Sequence, residues 1–216
     1  KKKDPGKPLL INMYTDYKAN RPPVPEGLLE GCDAVQQELA VQGIQYLTVK
    51  GYEADDVLGT LSYRASSAGF QSTIITSDLD LLQLVSDSIE VEVFSQYWPT
   101  RVFDTEATRR RFGGLNPVSI PDYKALVGDR SDNLPGIRGI GEQSTFALLG
   151  RYHHLEGIYD DLENVCHLPF RGAKRTQRLL RENRSEAFLM RSLTTIVSNV
   201  EYAVDYDLAS LLYSAA

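Results

Sequence analysis

Two kinds of apolar pattern alternate along the first half of the chain. Short apolar runs typical of strands lie at 9–11, 44–49, 72–76 and 89–94. Segments with helical spacing lie between them at 28–42, 54–68 and 79–85. Strands that are separated by helices are joined by crossovers rather than hairpins, so the pattern predicts a parallel sheet covered by helices. We therefore expect an α/β fold in this half.

Individual segments carry more detailed expectations. The run at 72–76 is continuously apolar or β-branched, which predicts a strand buried on both faces. Leu28, Val35 and Leu39 share one stripe of the helix at 28–42. The segment 14–25 is rich in Pro, Lys, Arg and Tyr, which predicts an exposed loop. From Asp104 onward nearly everything has helical character. Trp98 and the tyrosines near it are predicted to pack rather than to stack on nucleobases.

Composition limits the class of protein. The 216 residues are 42% apolar and 24% charged, which is ordinary for a soluble globular domain, and the net charge is −6. No apolar run approaches the length of a membrane span, and the start is too polar for a secretory signal. Cys32 and Cys166 alone exclude a disulfide framework and suit a reducing compartment. At face value, the acidic balance argues against a nucleic-acid partner.

Acidic side chains cluster at three places, two of them shortly after predicted strands. The clusters are Glu53-Ala54-Asp55-Asp56, Asp78-Leu79-Asp80 and Asp129-Arg130-Ser131-Asp132. Ligands bind beyond the carboxyl ends of parallel strands, so the first two clusters are expected to meet at one edge of the sheet. Carboxylates this close repel one another strongly unless cations lie between them. Oxygen ligands without His or Cys favour Mg²⁺ or Mn²⁺, and a two-ion site suits phosphodiester hydrolysis.

A second interpretation of these clusters stays open on this reasoning. Acids directly after strands often cap helices, and each cluster taken singly is more often a cap or turn than a ligand set. Glu53 and Asp56 are three residues apart and share a helix face, which also suits a solvated surface. The spacing therefore allows a metal site without requiring one.

Longer motifs surround the three clusters. They are GYEADD at 51–56, TSDLDLLQL at 76–84 and DYKALVGDRSDNLPGIRGIG at 122–141, and YKANRPP at 17–23 precedes them. Together these motifs closely resemble the 5′ nuclease domain of bacterial DNA polymerase I and its stand-alone and flap-endonuclease relatives. The resemblance runs from about residue 14 to residue 165 and keeps the order of the family's motifs.

The resemblance implies a Rossmann-like (PIN-like) α/β nuclease core with a parallel sheet over 1–115 and a helical DNA-binding region over 116–216. It also implies two Mg²⁺ or Mn²⁺ ions. The acids that match the family's metal ligands are Glu53, Asp55, Asp56, Asp78, Asp80, Asp129 and Asp132. Lys18 and Arg21 match basic residues of the family's arch, where a cation offsets negative charge that develops at the scissile phosphate. Without the motif, both would be interpreted as exposed loop charges.

The segment 135–141 resembles the family's helix–three-turn–helix element, which binds the DNA backbone. Gly136, Gly139 and Gly141 would let a phosphate approach the backbone, and the start of the next helix favours an anion. In the family, a monovalent cation such as K⁺ can bridge this loop and a phosphate. The other candidates for DNA contact are Arg138, Gln143, Ser144, Lys174 and Arg178. The last two belong to a basic run at 171–191, for which a solvated helix face is an equal alternative.

The start of the chain departs from the family pattern. Family members have two strands before the motif at 17–23, and each of these strands ends in an Asp. Here 9–11 matches the first strand, Asn12 stands where the first Asp is expected, and the second strand has no counterpart. Either residues are missing between about 11 and 14, or the chain is a shortened member with low or no activity.

The leading hypothesis is a divalent-metal-dependent 5′-3′ exonuclease or flap endonuclease that hydrolyses DNA at 5′ ends, flaps or branch points. The alternatives are a catalytically impaired DNA-structure-binding homologue and a nuclease acting on RNA. We expect a monomer without membrane contact in the cytoplasm (nucleoid) of a bacterium, or in an organelle of bacterial descent. Because seven of the 29 acids are metal-site candidates, the charge no longer argues against nucleic acid.

Overall fold

The computed structural model describes residues 14–204 and 206–211. Its helices are α1 (Leu28–Val41), α2 (Ala54–Ser67), α3 (Thr105–Arg111), α4 (Ile120–Val127), α5 (Glu142–Tyr152), α6 (Leu155–Asp160), α7 (Ala173–Glu182), α8 (Arg184–Thr194) and α9 (Glu201–Val204). Its strands are β1 (Ser72–Thr76), β2 (Ile89–Val93) and β3 (Arg101–Phe103). Short 3₁₀ helices cover Leu79–Leu84, Pro117–Ser119, Leu162–His167 and Leu208–Leu211. None of the helices in these ranges combines the length and apolar character that a membrane span requires.

The described sheet has three strands in the order β1–β2–β3. β1 and β2 are parallel, with Ser72 opposite Ile89 and Thr76 opposite Val93, whereas β3 is antiparallel to β2. The expected parallel pairing is therefore present between β1 and β2, and β3 adds an antiparallel strand that the sequence pattern did not predict. The segment 94–100 is too short for a crossover, so the chain can only return beside β2 in the opposite direction.

Two other strand expectations are also corrected. The apolar run at 44–49 forms no strand, and its Ile44 and Tyr46 side chains are 51% and 53% exposed. The expected strand at 9–11 and Asn12 lie outside the described residues. β1 is present as predicted, but Ile74 is 4% exposed and Ile75 is 65% exposed. This strand is the edge of the described sheet, and the core covers only the face that carries Ile74.

The helix expectations are confirmed in position, with one difference in packing. α2 and the 3₁₀ helix Leu79–Leu84 lie where helical spacing predicted them, and most of the chain after Asp104 is helical. α1 also forms, yet none of its residues is buried, and Val35 remains 58% exposed. Its apolar stripe therefore does not contact the core.

One hydrophobic core runs from the sheet into the C-terminal helices. It joins Ile74 and Val91 of the sheet to Leu126 of α4, Leu148 of α5 and Met190 of α8. α4 packs against both α5 and α8. After α8 the chain returns to α2, where the Val200 backbone amide donates to the Thr60 hydroxyl at 3.1 Å and α9 packs on the helix. The C-terminal part of the chain thus closes over the N-terminal half and helps to wall the site described next.

Candidate active site

Acidic side chains from separate elements converge on one small cavity of about 20 Å³. Glu53 and Asp55 come from the start of α2, and Asp78 and Asp80 come from the end of β1 and the 3₁₀ helix after it. Asp132 comes from the loop after α4. The other lining residues are Tyr17, Lys18, Leu193, Thr194 and Ile196. The first two acidic clusters therefore lie together, as their places after predicted strands indicated.

The closest group of acids in the described chain consists of Asp80, Asp129 and Asp132. Each offers one carboxylate oxygen, and these oxygens all lie within 4.8 Å of one another. We use the name carboxylate site for the residues Glu53, Asp55, Asp78, Asp80, Asp129 and Asp132. An all-oxygen set of this kind is what Mg²⁺ and Mn²⁺ prefer, and no His or Cys competes for a softer metal among the residues that line this cavity.

Local structure explains the position of Asp78. Its carboxylate accepts a hydrogen bond from the Asp80 backbone amide at 2.9 Å and so caps the 3₁₀ helix. Its own amide donates to the Thr76 hydroxyl at 2.9 Å. Asp78 therefore caps the helix and lines the cavity as well, so both interpretations are correct for this residue.

The loop that carries Asp129 is closed by glycines. The Asp129 and Leu134 backbones exchange hydrogen bonds of 2.8 and 2.7 Å. Gly136 has a φ of 61°, and a Cβ there would lie 2.3 Å from the Gly128 backbone nitrogen. The expectation that Gly136 makes room for a phosphate is thus corrected, because its space is taken by the chain itself. At Gly141 no atom of the described chain lies within 4 Å of the place that a Cβ would occupy, so this glycine faces open space.

The segment at 17–21 is attached to this loop. The Lys18 ammonium lies 2.5 Å from a Glu53 oxygen and 3.9 Å from Asp132, and the Arg21 guanidinium donates to Asp132 at 2.7 Å. The Tyr17 hydroxyl donates to Asp132 at 3.2 Å, and Tyr17 is buried rather than part of an exposed loop. Both predicted basic residues therefore lie at the edge of the carboxylate site.

Sequence reasoning missed Lys124. The Lys124 ammonium donates to the Asp129 carboxylate at 2.5 Å and also contacts Asp80. It lies on α4, five residues before Asp129, within the motif at 122–141. The signal that could have found it is charge balance, because a buried acidic cluster needs a nearby cation.

Asp56 behaves differently from the other predicted ligands. It is fully buried, and its carboxylate accepts hydrogen bonds from the backbone amides of Glu53 at 3.2 Å and Val197 at 2.9 Å. Asp56 does not line the cavity. Its visible role is to fix the start of α2 against the chain that follows α8.

Burial and neighbouring charges shift the pKa values of three acids in the carboxylate site. Burial, together with the negative charges of Asp78 and Glu53, raises the pKa of Asp55 to about 6. Burial also raises the pKa of Asp80 to about 6, although Lys124 partly opposes the change. Burial would raise the pKa of Asp129 too, but hydrogen bonds from Lys124 and Ser131 hold it below its ordinary value. Carboxylates that resist ionisation without further positive charge fit a site for a divalent cation.

The candidates for DNA contact lie in the turn at 136–141, at the start of α5 and on α7, and Gly136 is buried among them. α5 begins directly after Gly141 with no side-chain cap, and Gln143 and Ser144 lie in its first turn. Arg138 and Gly139 are exposed, and Arg175 of α7 lies beside Gly139, where a Cβ would come within 3.0 Å of its guanidinium. Arg175 belongs to the basic run at 171–191 but is not among the predicted DNA contacts. Its position beside this turn, like that of Lys124 in the carboxylate site, is visible only in the structure.

The basic run at 171–191 divides into two groups. Lys174 is exposed and forms no ion pair among the described residues, and Arg178 lies 3.9 Å from Glu182. Arg181 pairs with Glu163 at 2.5 Å, and Arg191 pairs with Glu156 at 2.6 Å. The second group joins neighbouring helices, whereas Lys174 of α7 is exposed and open to a ligand.

The α/β core, the acidic site beyond β1 and the helical region after residue 116 define the class of Rossmann-like (PIN-like) nucleases. The chain belongs to the 5′-3′ exonuclease family. Residues 6–113 match the family described as "5′-3′ exonuclease, N-terminal resolvase-like domain", and residues 115–214 match the one described as "5′-3′ exonuclease, C-terminal SAM fold". The recognised family and the predicted fold class are confirmed.

Curated bacterial relatives agree with this assignment. The chain is 31% identical over 200 residues to the 5′-3′ exonuclease of Buchnera aphidicola (subsp. Acyrthosiphon pisum), covering 93% of the chain and 68% of that protein. It is 37% identical over 211 residues to DNA polymerase I of Chloroflexus aurantiacus, covering 96% of the chain. The chain spans 22% of the length of that polymerase.

Solved structures share the fold. The 5′-exonuclease of bacteriophage T5 with bound zinc superposes with a TM-score of 0.70 at 19% identity, covering 95% of this chain and 74% of that one. The catalytic core of Rad2 in complex with a DNA substrate superposes with a TM-score of 0.55 at 19% identity, covering 89% of this chain and 61% of that one. Zinc and DNA are properties of those two structures.

Proposed function

We propose that this chain is a divalent-metal-dependent 5′ nuclease that hydrolyses DNA phosphodiester bonds as a 5′-3′ exonuclease and flap endonuclease. One observation carries the proposal. The carboxylate site has Lys18 and Arg21 at one edge, and the loop that supplies Asp129 and Asp132 continues directly into the glycine-rich turn before α5. Two metal-ligand candidates and the turn proposed to bind the DNA backbone therefore lie on one continuous segment, 129–141.

Six acids of the carboxylate site would hold two Mg²⁺ or Mn²⁺ ions, with Asp80, Asp129 and Asp132 as the closest group. The oxygen-only donor set and the raised pKa values of Asp55 and Asp80 fit such ions. A bound divalent ion supplies positive charge to the scissile phosphate and makes water a better nucleophile. Asp56 fits a positioning role in this scheme, because its carboxylate oxygens hold backbone amides.

The chain's own cations act on the same phosphate. Lys18 and Arg21 are held at the site by Glu53 and Asp132, so they need little reordering to meet an anion. We propose that they stabilise the negative charge that grows on the phosphate oxygens in the transition state. Both are then catalytic residues rather than exposed loop charges.

The duplex beside the cleaved bond would be held by the turn at 136–141 and the helices around it. Gly141 leaves the first amides of α5 open to an anion, and the turn at 136–141 is where we propose that a K⁺ ion would be held. The contacts would come from Gly139, Gly141, Arg138, Gln143, Ser144, Lys174 and Arg178. Gly136 contributes by closing the loop.

We further propose that 1–115 forms the nuclease core and 116–216 the DNA-binding region. The protein would act as a monomer on DNA of a bacterial nucleoid, and the bacterial relatives support the bacterial source. The mass in solution checks the monomer, and the DNA affinity of the whole chain checks the DNA partner.

The test of the proposed function is cleavage of a 5′-flap DNA in the presence of Mg²⁺ or Mn²⁺. We expect Asp129→Asn to lose activity by at least about 100-fold, because it removes a charge from the closest acidic group. Asp87→Asn is the matched control, since Asp87 is exposed and does not line the site. Lys18→Ala should lose a similar amount, with Lys50→Ala as its control.

Each unfavourable outcome has a defined meaning. If the unaltered chain binds the flap without cutting it, the impaired binding homologue is the correct description. If an RNA flap is cut faster than the DNA flap, the substrate class is RNA. Cleavage that survives Asp129→Asn would show that the carboxylate site is not the active site.

A further inference from the structure

A second, larger cavity lies beside the carboxylate site. Its volume is about 730 Å³, within the range of roughly 300–1,000 Å³ that ligand sites occupy. The lining residues that matter here are Leu79, Phe94, Tyr97, Trp98, Arg101 and Arg111. None of these residues has a part in the function proposed above.

The aromatic side chains of this cavity are exposed. Trp98 is 68% exposed and Tyr97 is 77% exposed, and Phe94 at the end of β2 is 48% exposed. The expectation that Trp98 and the tyrosines near it are packing residues is therefore wrong for Trp98 and Tyr97. The segment 94–100 joins two antiparallel strands, and its rings line the exposed cavity and are not among the buried residues of the core.

Two arginines line the same cavity as these rings. Arg101 of β3 and Arg111 of α3 line the cavity, and both are exposed and form no ion pair among the described residues. α3 ends in three consecutive arginines, Arg109, Arg110 and Arg111, of which Arg110 pairs with Glu106 at 3.3 Å. Rings beside unpaired arginines suit a ligand that combines flat aromatic groups with negative charge.

The two cavities are separated by a single stretch of backbone. Ser77 and Leu79 line the aromatic cavity, whereas Asp78 between them lines the carboxylate site. A nucleic-acid strand with one phosphate at the carboxylate site therefore has neighbouring nucleotides within reach of the aromatic cavity. This continuity selects a nucleic-acid strand as the occupant.

We propose that the cavity lined by Tyr97, Trp98, Arg101 and Arg111 binds unpaired nucleobases of a single-stranded segment next to the cleaved bond. The bases stack on the rings of Tyr97 and Trp98, and the two arginines bind the flanking phosphates. Stacking of this kind needs unpaired bases, because the rings can reach a base face only where no neighbouring base covers it. The inference deepens the proposed function and rests on it.

The chain contains a single tryptophan, so its fluorescence reports on this cavity directly. The experiment titrates the whole chain with a single-stranded oligonucleotide and, separately, with a blunt duplex, with EDTA present to prevent cleavage. We expect the single strand to quench the Trp98 emission and the duplex to leave it nearly unchanged. Trp98→Ala should weaken single-strand binding, measured by anisotropy of a labelled strand, by roughly 5- to 100-fold. The same variant should bind the blunt duplex as before.

Two further variants separate stacking from damage to the fold. Trp98→Phe should restore most of the single-strand affinity, because a phenyl ring still offers a stacking face. Tyr63→Ala is the matched control, since Tyr63 is 61% exposed on α2 and does not line the cavity. Unchanged emission at saturating single strand, or unchanged affinity in Trp98→Ala, would overturn the proposal.

The outcome also distinguishes this inference from the proposed function. If a blunt duplex with a 5′ end is cut while the single strand leaves Trp98 unaffected, the nuclease stands and the stacking site fails. If the chain neither binds nor cuts DNA, both fail. If Trp98→Ala instead changes the mass of the protein in solution, the aromatic surface contacts a second copy and the proposal is wrong.

Discussion

The Lys124 ammonium donates to the Asp129 carboxylate at 2.5 Å, and the same nitrogen contacts Asp80. An internal cation thus lies between two of the three acids whose oxygens are closest together. Lys124→Met should lower the stability of the metal-free protein, because two largely buried carboxylates lose their partner. In the variant, a bound Mg²⁺ ion takes over the neutralisation of Asp80 and Asp129 that Lys124 provides in the original chain. Mg²⁺ should therefore raise the Tm of the variant by more than it raises the Tm of the original chain.

The check for Lys124 is a pair of thermal unfolding curves, with Mg²⁺ and with EDTA. Lys50→Met serves as the control, because Lys50 is exposed. An equal Mg²⁺-dependent rise in Tm for the original chain and for Lys124→Met would show that the ammonium does not compete with the metal.

Gly136 and Gly141 flank the same turn but have opposite surroundings. A Cβ on Gly136 would overlap the backbone of Gly128, and its φ of 61° strains any other residue. Gly136→Ala should therefore lower the free energy of unfolding by about 3 kcal/mol or more. Gly141→Ala should lower it by about 1 kcal/mol or less, because the space around Gly141 is open and the substitution only makes the N-cap of α5 less favourable. Urea unfolding of the two variants measures the difference, and similar losses in both would contradict the described loop.

Asp122 is a buried acid outside the site. Burial raises its pKa from 3.8 to about 6, although Arg191 lies 3.7 Å away and partly opposes this. The folded state therefore binds the proton more tightly than the unfolded state. Its contribution to stability is present below about pH 4 and is lost as the pH rises to about 6.

Asp122→Asn removes this penalty. The variant should be more stable than the original chain at pH 8 by about 1–3 kcal/mol, and the difference should shrink toward pH 4. Arg191 retains Glu156 at 2.6 Å, so the substitution leaves no cation unpaired at this position of the described chain. Denaturant curves across this pH range are the measurement, with exposed Asp160→Asn as the control. A loss of stability at pH 8 would show that the pairing of Asp122 with Arg191 outweighs its burial.

Metal binding should release protons at mildly acidic pH. Asp55 and Asp80 both have a pKa raised to about 6, so each is partly protonated at pH 6 and ionised at pH 8. A divalent cation favours the ionised forms, and we expect release of about one proton per chain at pH 6 and almost none at pH 8. Calorimetry in two buffers with different ionisation enthalpies counts these protons. Asp55→Asn should reduce the number at pH 6, and identical heats in both buffers would refute the linkage.

Much of the candidate site follows from local sequence. The acids after β1 and at the start of α2 belong to caps and turns that depend on only a few neighbouring residues, so their motifs indicate their backbone positions. Asp78 is the example, because its carboxylate caps the next helix and still faces the cavity. The helices α2 and α5 could be predicted for the same reason.

The sequence by itself therefore determined the family, the α/β character of the first half and the set of acids available to a metal. Tertiary structure alone decided which of those acids face the cavity, since Asp56 is turned toward an amide 141 residues away in the chain. Only the folded structure shows that Lys124 joins Asp80 to Asp129, that Trp98 is exposed and that 44–49 is not part of the described sheet. These outcomes depend on packing between elements far apart in sequence, and neither periodicity nor spacing records such contacts.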